Sequence, residues 1–190
     1  MNSKDGQLPR KLNLGCGKDI KNGYLNLDKA ALPGVDIVCN IEQLPLPFAD
    51  SSFDEVLCND VLEHVQYIPI LKDIHRILAS GGKLHIRVPH FTSKNNAIDP
   101  THIRTFSIET FDFFSQKSRL NREAGYYMFD FSFGSIEKAR IDFERSSRFF
   151  FYNGFVEKWV NKSKYRQQLY EATGLSRLFP AQNILITFLK

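Results

Sequence analysis

The residues of this chain whose types and spacing most directly suggest chemistry are Gly15, Cys16 and Gly17, answered by Asp28. The glycines follow an apolar run, Lys11 to Leu14, and Asp28 ends a second, Tyr24 to Asp28. Glycine lets a backbone approach a ligand closely, and an acid at the tip of the next strand accepts from sugar hydroxyls. The pair reads as a ribose site, or, without a ligand, as a tight strand-to-loop turn. In a dinucleotide site the third glycine of G-x-G-x-x-G would fall at Ile20, and the acid would stand about 20 residues on. Here ten residues separate Gly17 from Asp28, and they include the turn signal Asn22-Gly23. Little more than one helical turn fits. A pyrophosphate needs a helix N-terminus aimed at it, whereas a cationic ligand does not. The short span weighs against nicotinamide and flavin dinucleotides and is compatible with a ribose-bearing sulfonium.

Two histidines are candidates for acid-base work: His90, after Pro89 at a strand end, and His102, in Asp99-Pro100-Thr101-His102-Ile103-Arg104-Thr105-Phe106. Each reads equally as a hydrogen-bonded packing residue. Arg104 suits an anionic acceptor group or a bridge to Asp99, and Phe106 suits an apolar acceptor surface. His64 reads as packing the start of its helix. Cys16, Cys39 and Cys58 are odd in number and lack C-x-x-C spacing, so neither a disulfide framework nor a zinc site is read, and no metal ligand set is assigned.

These groups need elements to position them. Strands are predicted at 11–14, 24–28, 35–39, 53–59 and 83–88. Asp60-Val61-Leu62-Glu63 has the form of a helix start with Asp60 as N-cap. Ile70, Ile74, Ile77 and Leu78 repeat at helical spacing after Pro69, and Gly81-Gly82 is the predicted stop. Strands alternating with helices or short crossovers predict an α/β fold: a doubly wound, mostly parallel, Rossmann-like sheet with helices on both faces. Ligands of such sheets lie outside the carboxyl ends of the strands. Gly15, Asp28, Asn40, Asn59 and His90 all fall there. Later, Ser107 is read as capping a helix with Ile108, Phe111 and Phe114. A strand is predicted near 143–151, helix over 159–172 and a final strand over 182–189, the late strands pairing antiparallel as the last of seven.

Length suits a single domain, 1–190, with 11–90 as a cofactor half and 91–190 as an acceptor half carrying a lid. Residues 1–100 carry 11 Lys/Arg against 12 Asp/Glu, and 101–190 carry 14 against 9. Fourteen of the 17 Phe lie in the second part, as a hydrophobic lid over an acceptor or as core. Basic runs that track nucleic acid are absent, so nucleic acid is a disfavoured partner. The polar start and the lack of a spanning run predict a cytoplasmic protein without membrane segments.

The pieces LNLGCG, YLNLD, NIEQLPLPFADSSFDEV and CNDVLEHV, with a helix ending in GGKLHIRVP, together resemble the class I S-adenosylmethionine-dependent methyltransferases, in particular the type 11 group, over about residues 11–90. The resemblance implies S-adenosyl-L-methionine as cofactor and S-adenosyl-L-homocysteine as product. It implies that Gly15, Cys16 and Gly17 contact the methionine portion, Asp28 the ribose, and Asn40 with Ile41 the adenine, while Asn59 and its neighbours close over the methionine end. Two departures stand out: Lys18 directly follows Gly17, and Asn40 replaces the common Asp, although an amide oxygen still accepts from an adenine amino group. The implied activity is methyl transfer to a small or medium-sized acceptor, oxygen favoured over nitrogen because no Asn/Asp-Pro-Pro-aromatic motif follows the fourth strand. A cofactor-binding module without turnover, or a methyltransferase acting on RNA or protein, are the alternatives.

Overall fold

The computed structural model describes residues 10–123, 125–127, 129–144 and 152–190. Among the described residues, seven strands form one sheet in the order β3-β2-β1-β4-β5-β7-β6. They are β1 (Lys11–Leu14), β2 (Leu25–Asp28), β3 (Ile37–Val38), β4 (Phe53–Asn59), β5 (Leu78–Pro89), β6 (Ser135–Asp142) and β7 (Asn183–Leu189). The first five run parallel, and β7 is antiparallel to both neighbours. This is the Rossmann-like sheet that the alternation predicts. Its order reverses between β1 and β4, which opens the crevice at the carboxyl ends of those strands.

One face of the sheet is uniformly apolar and buried: Leu12 and Leu14, Leu25 and Leu27, Val56 and Cys58, Leu84, Ile86 and Val88, then Ile184, Ile186 and Phe188. Helix α1 (Tyr67–Ile77) joins this core through Ile70, Leu71, Ile74 and Ile77, all fully or almost fully buried. Pro69 sits in its first turn, where no helical N–H is lost. The helix stops at Ile77, because Leu78 is already extended. Gly81-Gly82 therefore lies inside β5: between Phe53↔Leu78 and Glu55↔Lys83, β4 advances two residues while β5 advances five. Gly81 takes φ +75 in that bulge.

The opposite face carries Asn13, Asn26, Glu55, His85, Arg87 and Thr187. Helices are sparser here than a doubly wound pattern implies: among the described residues, the crossovers from β1 to β4 hold none. Asn13 and Asn26 substitute for the helix between β1 and β2. Asn13 Nδ2 donates to Asp19 O at 2.8 Å and to Asn26 Oδ1 at 3.0 Å, and Asn26 Oδ1 accepts from Lys21 N at 2.9 Å. Asn26 Nδ2 donates to Lys21 O, Tyr24 O and Asp36 Oδ2. Two buried amides thus satisfy the backbone of a ten-residue turn.

Between β5 and β6 the chain holds α2 (Asn95–Ile98), a 3-10 turn at Thr110–Phe114 and α3 (Arg119–Glu123). Ser107 Oγ accepts from Glu109 N, but the element it opens is the 3-10 turn, not an α-helix. Phe106, Phe111, Phe114 and Phe133 are all buried and pack on Tyr67 of α1 and Phe188 of β7. They complete the core, so of the two readings of the Phe-rich half, lid or core, these residues take the second, and Phe106 is no exposed acceptor surface. The penultimate strand lies at 135–142, earlier than predicted; Phe143 and Glu144 follow it, and residues 145–151 lie outside the described residues. The helix over 159–172 is split into α4 (Asn153–Val160) and α5 (Lys164–Ala172), with Ser163 capping the second, before α6 (Leu175–Leu178). The break has a use. Asn161 donates to Ile141 O at 2.7 Å and accepts from Ile141 N at 2.9 Å, and Gln167 Nε2 donates to Ala139 O at 3.0 Å, closing the outer edge of β6.

Candidate functional site: two adjoining clefts

Gly15 and Gly17 take φ +66 and +51, left-handed values that only glycine adopts without strain. A Cβ on Gly15 would stand 2.5 Å from Cγ2 of Val61, so the glycine also admits the close approach of the segment after β4. Gly17 N donates to Asp28 Oδ2 at 2.8 Å, and Ala30 N donates to Asp28 Oδ1 at 2.9 Å. Each carboxylate oxygen keeps a further lone pair for a ligand hydroxyl.

A cleft of about 330 Å³ opens beside this turn. Gly15, Asp28, Asn40 and Ile41 line it, joined by Asp60 and His64. Cys16 and Gly17 form the turn behind it, with Cys16 buried and its thiol pushed up by burial. Asn59 does not line the cleft; the next residue, Asp60, takes that place. Asp60 is no N-cap: its φ is +56, and its carboxylate grips the Arg87 guanidinium, with Nε 3.0 Å from each oxygen. The element it precedes is a 3-10 turn, Leu62–His64. Asp28 and Glu42 stand in its walls beside Lys29, while the Asp60 carboxylate is engaged by Arg87, so the cleft offers acceptors to a hydroxyl-rich ligand.

A second cleft of about 540 Å³ adjoins the first and shares Asp60 and His64 with it. Glu63, Arg87, Asp99 and His102 also line it. Two of the segments that wall it are tied together by backbone bonds: Glu63 O accepts from Ile103 N at 2.8 Å and from Arg104 N at 3.2 Å. The Asp99-Pro100-Thr101-His102 loop is thereby laid against the 3-10 turn. His64 Nδ1 bonds Thr101 Oγ1 at 2.8 Å, Thr101 Oγ1 donates to Asp99 Oδ1 at 2.7 Å, and His102 packs edge-on to His64 with ring centres 4.6 Å apart. Burial lowers the pKa of His64, and the charge of His102 lowers it further. Glu63 is 1% exposed, and burial pushes its carboxyl up to about 7.

The remaining sequence candidates lie elsewhere. His90 is fully buried and outside both clefts. Its Nδ1 accepts from Thr92 N at 3.1 Å and lies 2.7 Å from Thr92 Oγ1, and its Nε2 lies 3.0 Å from Glu171 Oε1. With both nitrogens engaged it ties the end of β5 to α5, which corrects its reading as a base. Phe106 is core, and Arg104 bonds Gln66 rather than Asp99 or the cleft. Glu63 and His64 line the second cleft, a position that local reading misses. The acid-x-x-acid pattern of 60–63 looks like a helix start, and only the contacts with Thr101, 37 residues on, and with His102 show what His64 faces.

Residues 7–86 match the family model described as a methyltransferase domain. An uncharacterized protein of Methanocaldococcus jannaschii is 42% identical over 90 residues, a stretch that takes in 40% of this chain and 39% of that protein's length. A SAM-dependent methyltransferase from Archaeoglobus fulgidus superposes with a TM-score of 0.63 at 18% identity, covering 96% of this chain and 86% of its own. A Burkholderia thailandensis 1,6-didemethyltoxoflavin-N1-methyltransferase, solved with S-adenosylhomocysteine bound, superposes with a TM-score of 0.51 at 15% identity, covering 95% of this chain and 70% of its own. These superpositions show a shared Rossmann-like fold, with the first cleft at the carboxyl ends of its strands. Residues 7–86 are thus similar to a methyltransferase domain, and the chain as a whole shares the fold of solved S-adenosylmethionine-dependent methyltransferases. No described helix is long and apolar enough to cross a membrane.

Proposed function

We propose that this protein transfers the methyl group of S-adenosylmethionine to an oxygen of a small or medium-sized acceptor held in the second cleft. The carrying observation is that the two clefts share a wall, Asp60 and His64, so that a ligand in the first borders the second. The cofactor supplies an activated methyl on a sulfonium, which leaves alignment as the protein's main task. Asp28 accepts from the ribose hydroxyls, Asn40 and Ile41 flank the adenine, and the Gly15–Gly17 backbone follows the methionine portion. Oxygen is favoured over nitrogen by Asn59-Asp60-Val61-Leu62 after β4, which lacks the proline-aromatic motif of amide and base methylation. His102 and the buried Glu63 line the second cleft and are its candidate groups for an accepting hydroxyl.

Residues 11–90 thus act as the cofactor half. Residues 91–190 complete the core and contribute the Asp99–His102 wall, all in one domain. Three unpaired cysteines support a reducing, cytoplasmic setting. A small molecule is the partner that a cleft of this size supports, rather than a nucleic acid. The test is product detection by mass spectrometry over a panel of hydroxylated acceptors, with calorimetry of cofactor binding to the wild type and to Asp28→Ala. Losing charged hydrogen bonds of about 1.5–3 kcal/mol each should weaken binding at least about tenfold. Unchanged affinity in Asp28→Ala would refute the ribose assignment; binding without turnover on any acceptor would favour a non-catalytic module.

A further inference from the structure

Glu63, His64 and His102 each offer a ligand atom, and these atoms lie within 4.8 Å of one another. Ligands about 2.1 Å from one ion stand roughly 3–4 Å apart, so small side-chain rotations close the set. Two of the three have an atom waiting for a partner. Glu63 Oε2 and His102 Nδ1 are buried without a hydrogen bond, and the His102 side chain is only 8% exposed. Such orphans are uncommon in folded proteins and mark a missing ion or water. Arg87, the nearby cation, is committed to Asp60.

The supporting residues bear on which nitrogen of each ring keeps its lone pair. The Thr101 hydroxyl gives its proton to Asp99 Oδ1, so its contact with His64 Nδ1 requires Nδ1–H as donor. That leaves the lone pair on His64 Nε2. Asp99 Oδ2 lies 3.8 Å from His102 Nε2, favouring the proton there and the lone pair on the orphaned Nδ1. A single carboxylate thus orders both imidazoles, one directly and one through a hydroxyl, as partners of metal-bound histidines do.

We propose that Glu63, His64 and His102 bind a divalent transition-metal ion, zinc by the chemistry of the set, with its open position facing the second cleft. Two imidazoles and one carboxylate suit zinc better than magnesium or calcium, which take oxygen ligands. The role of the ion rests on the methyl-transfer reading: it takes the hydroxyl oxygen of the acceptor. The coordinated hydroxyl releases its proton to solvent, its oxygen lone pair forms the new O–C bond, and the C–S bond breaks with its electron pair returning to sulfur as a neutral thioether. The ion keeps its oxidation state. His102 is then a ligand rather than a base.

The test loads metal-stripped protein with Zn²⁺ and with Co²⁺, measuring stoichiometry by elemental analysis and the visible cobalt spectrum, alongside calorimetry of S-adenosylmethionine. Expected are one ion per chain, a cobalt spectrum of nitrogen and oxygen ligands, and loss of stoichiometric binding in Glu63→Gln and His102→Ala. Thr101→Val, which keeps the ligands and removes the hydroxyl that orients His64, should weaken affinity by about 10–100-fold. Should the first two variants fail to fold, Thr101→Val and the wild-type spectrum still decide. Absence of binding, or a thiolate charge-transfer band assigning the ion to cysteine, overturns the site. Cofactor binding without metal defeats this inference alone; metal without cofactor defeats the methyl-transfer reading and leaves the ion site standing.

Discussion

Gly15 meets two demands at one position, a left-handed backbone and the absence of a Cβ where Val61 arrives. The variant Gly15→Ala should therefore fail in two separable ways. Left-handed backbone costs an L-residue about 1–2 kcal/mol, and a methyl 2.5 Å from Val61 Cγ2 pushes away the turn that carries Asp60 and His64. Thermal unfolding should show a drop of several degrees, and calorimetry a weakened cofactor. Adding Val61→Ala should restore the steric share and leave the backbone share. Much of the first cleft was legible in the sequence for a physical reason: Gly15, Asp28, Asn40 and Ile41 follow strand ends that doubly wound sheets bring together. Glu63 and His64 were not, because their surroundings depend on a loop some 40 residues away and on an Asp60 backbone that no local pattern announces.

At the scale of elements, the segment from Gly15 to Tyr24 is held by side chains rather than by helical hydrogen bonds. The ten-residue spacing showed that a full helix cannot fit, but not that Asn13 and Asn26 would replace it; paired asparagines inside strands look like interruptions of an apolar pattern. Replacing Asn26 with Ala orphans Lys21 N and removes the acceptor of Asn13, and buried unpaired groups cost about 1–3 kcal/mol each. Urea unfolding should register a loss of roughly 2–4 kcal/mol, and hydrogen exchange at Lys21 should quicken while α1 stays protected. A Lys21→Ala change, which removes only an exposed pair to Asp19, should do almost nothing. The misplaced sixth strand has the opposite cause. Ser135 to Asp142 mixes Glu137, Lys138 and Arg140 with apolar residues and follows no clean alternation, whereas the richer run after it drew the reading forward.

Across the whole molecule, one buried apolar sheet face had to be covered by a chain with few helices, and phenylalanine supplied the volume. Composition alone left a lid and a core equally open, since both call for large apolar groups. The distinction is measurable: Phe111→Ala should lower stability by about 3–5 kcal/mol, as for any fully buried aromatic, while cofactor affinity in the surviving folded protein stays near wild type. A lid residue would give the reverse. The sheet itself ends unequally. Along β6 the amides of Asn161 and Gln167 occupy backbone positions that another strand would need, and at the far side β3 is only two residues long. An incoming strand therefore meets a plugged margin on one side and a foothold of two residues on the other. Fibrous growth by strand addition has almost nothing to hold, and concentrated solutions of this protein should remain free of sheet-on-sheet aggregates.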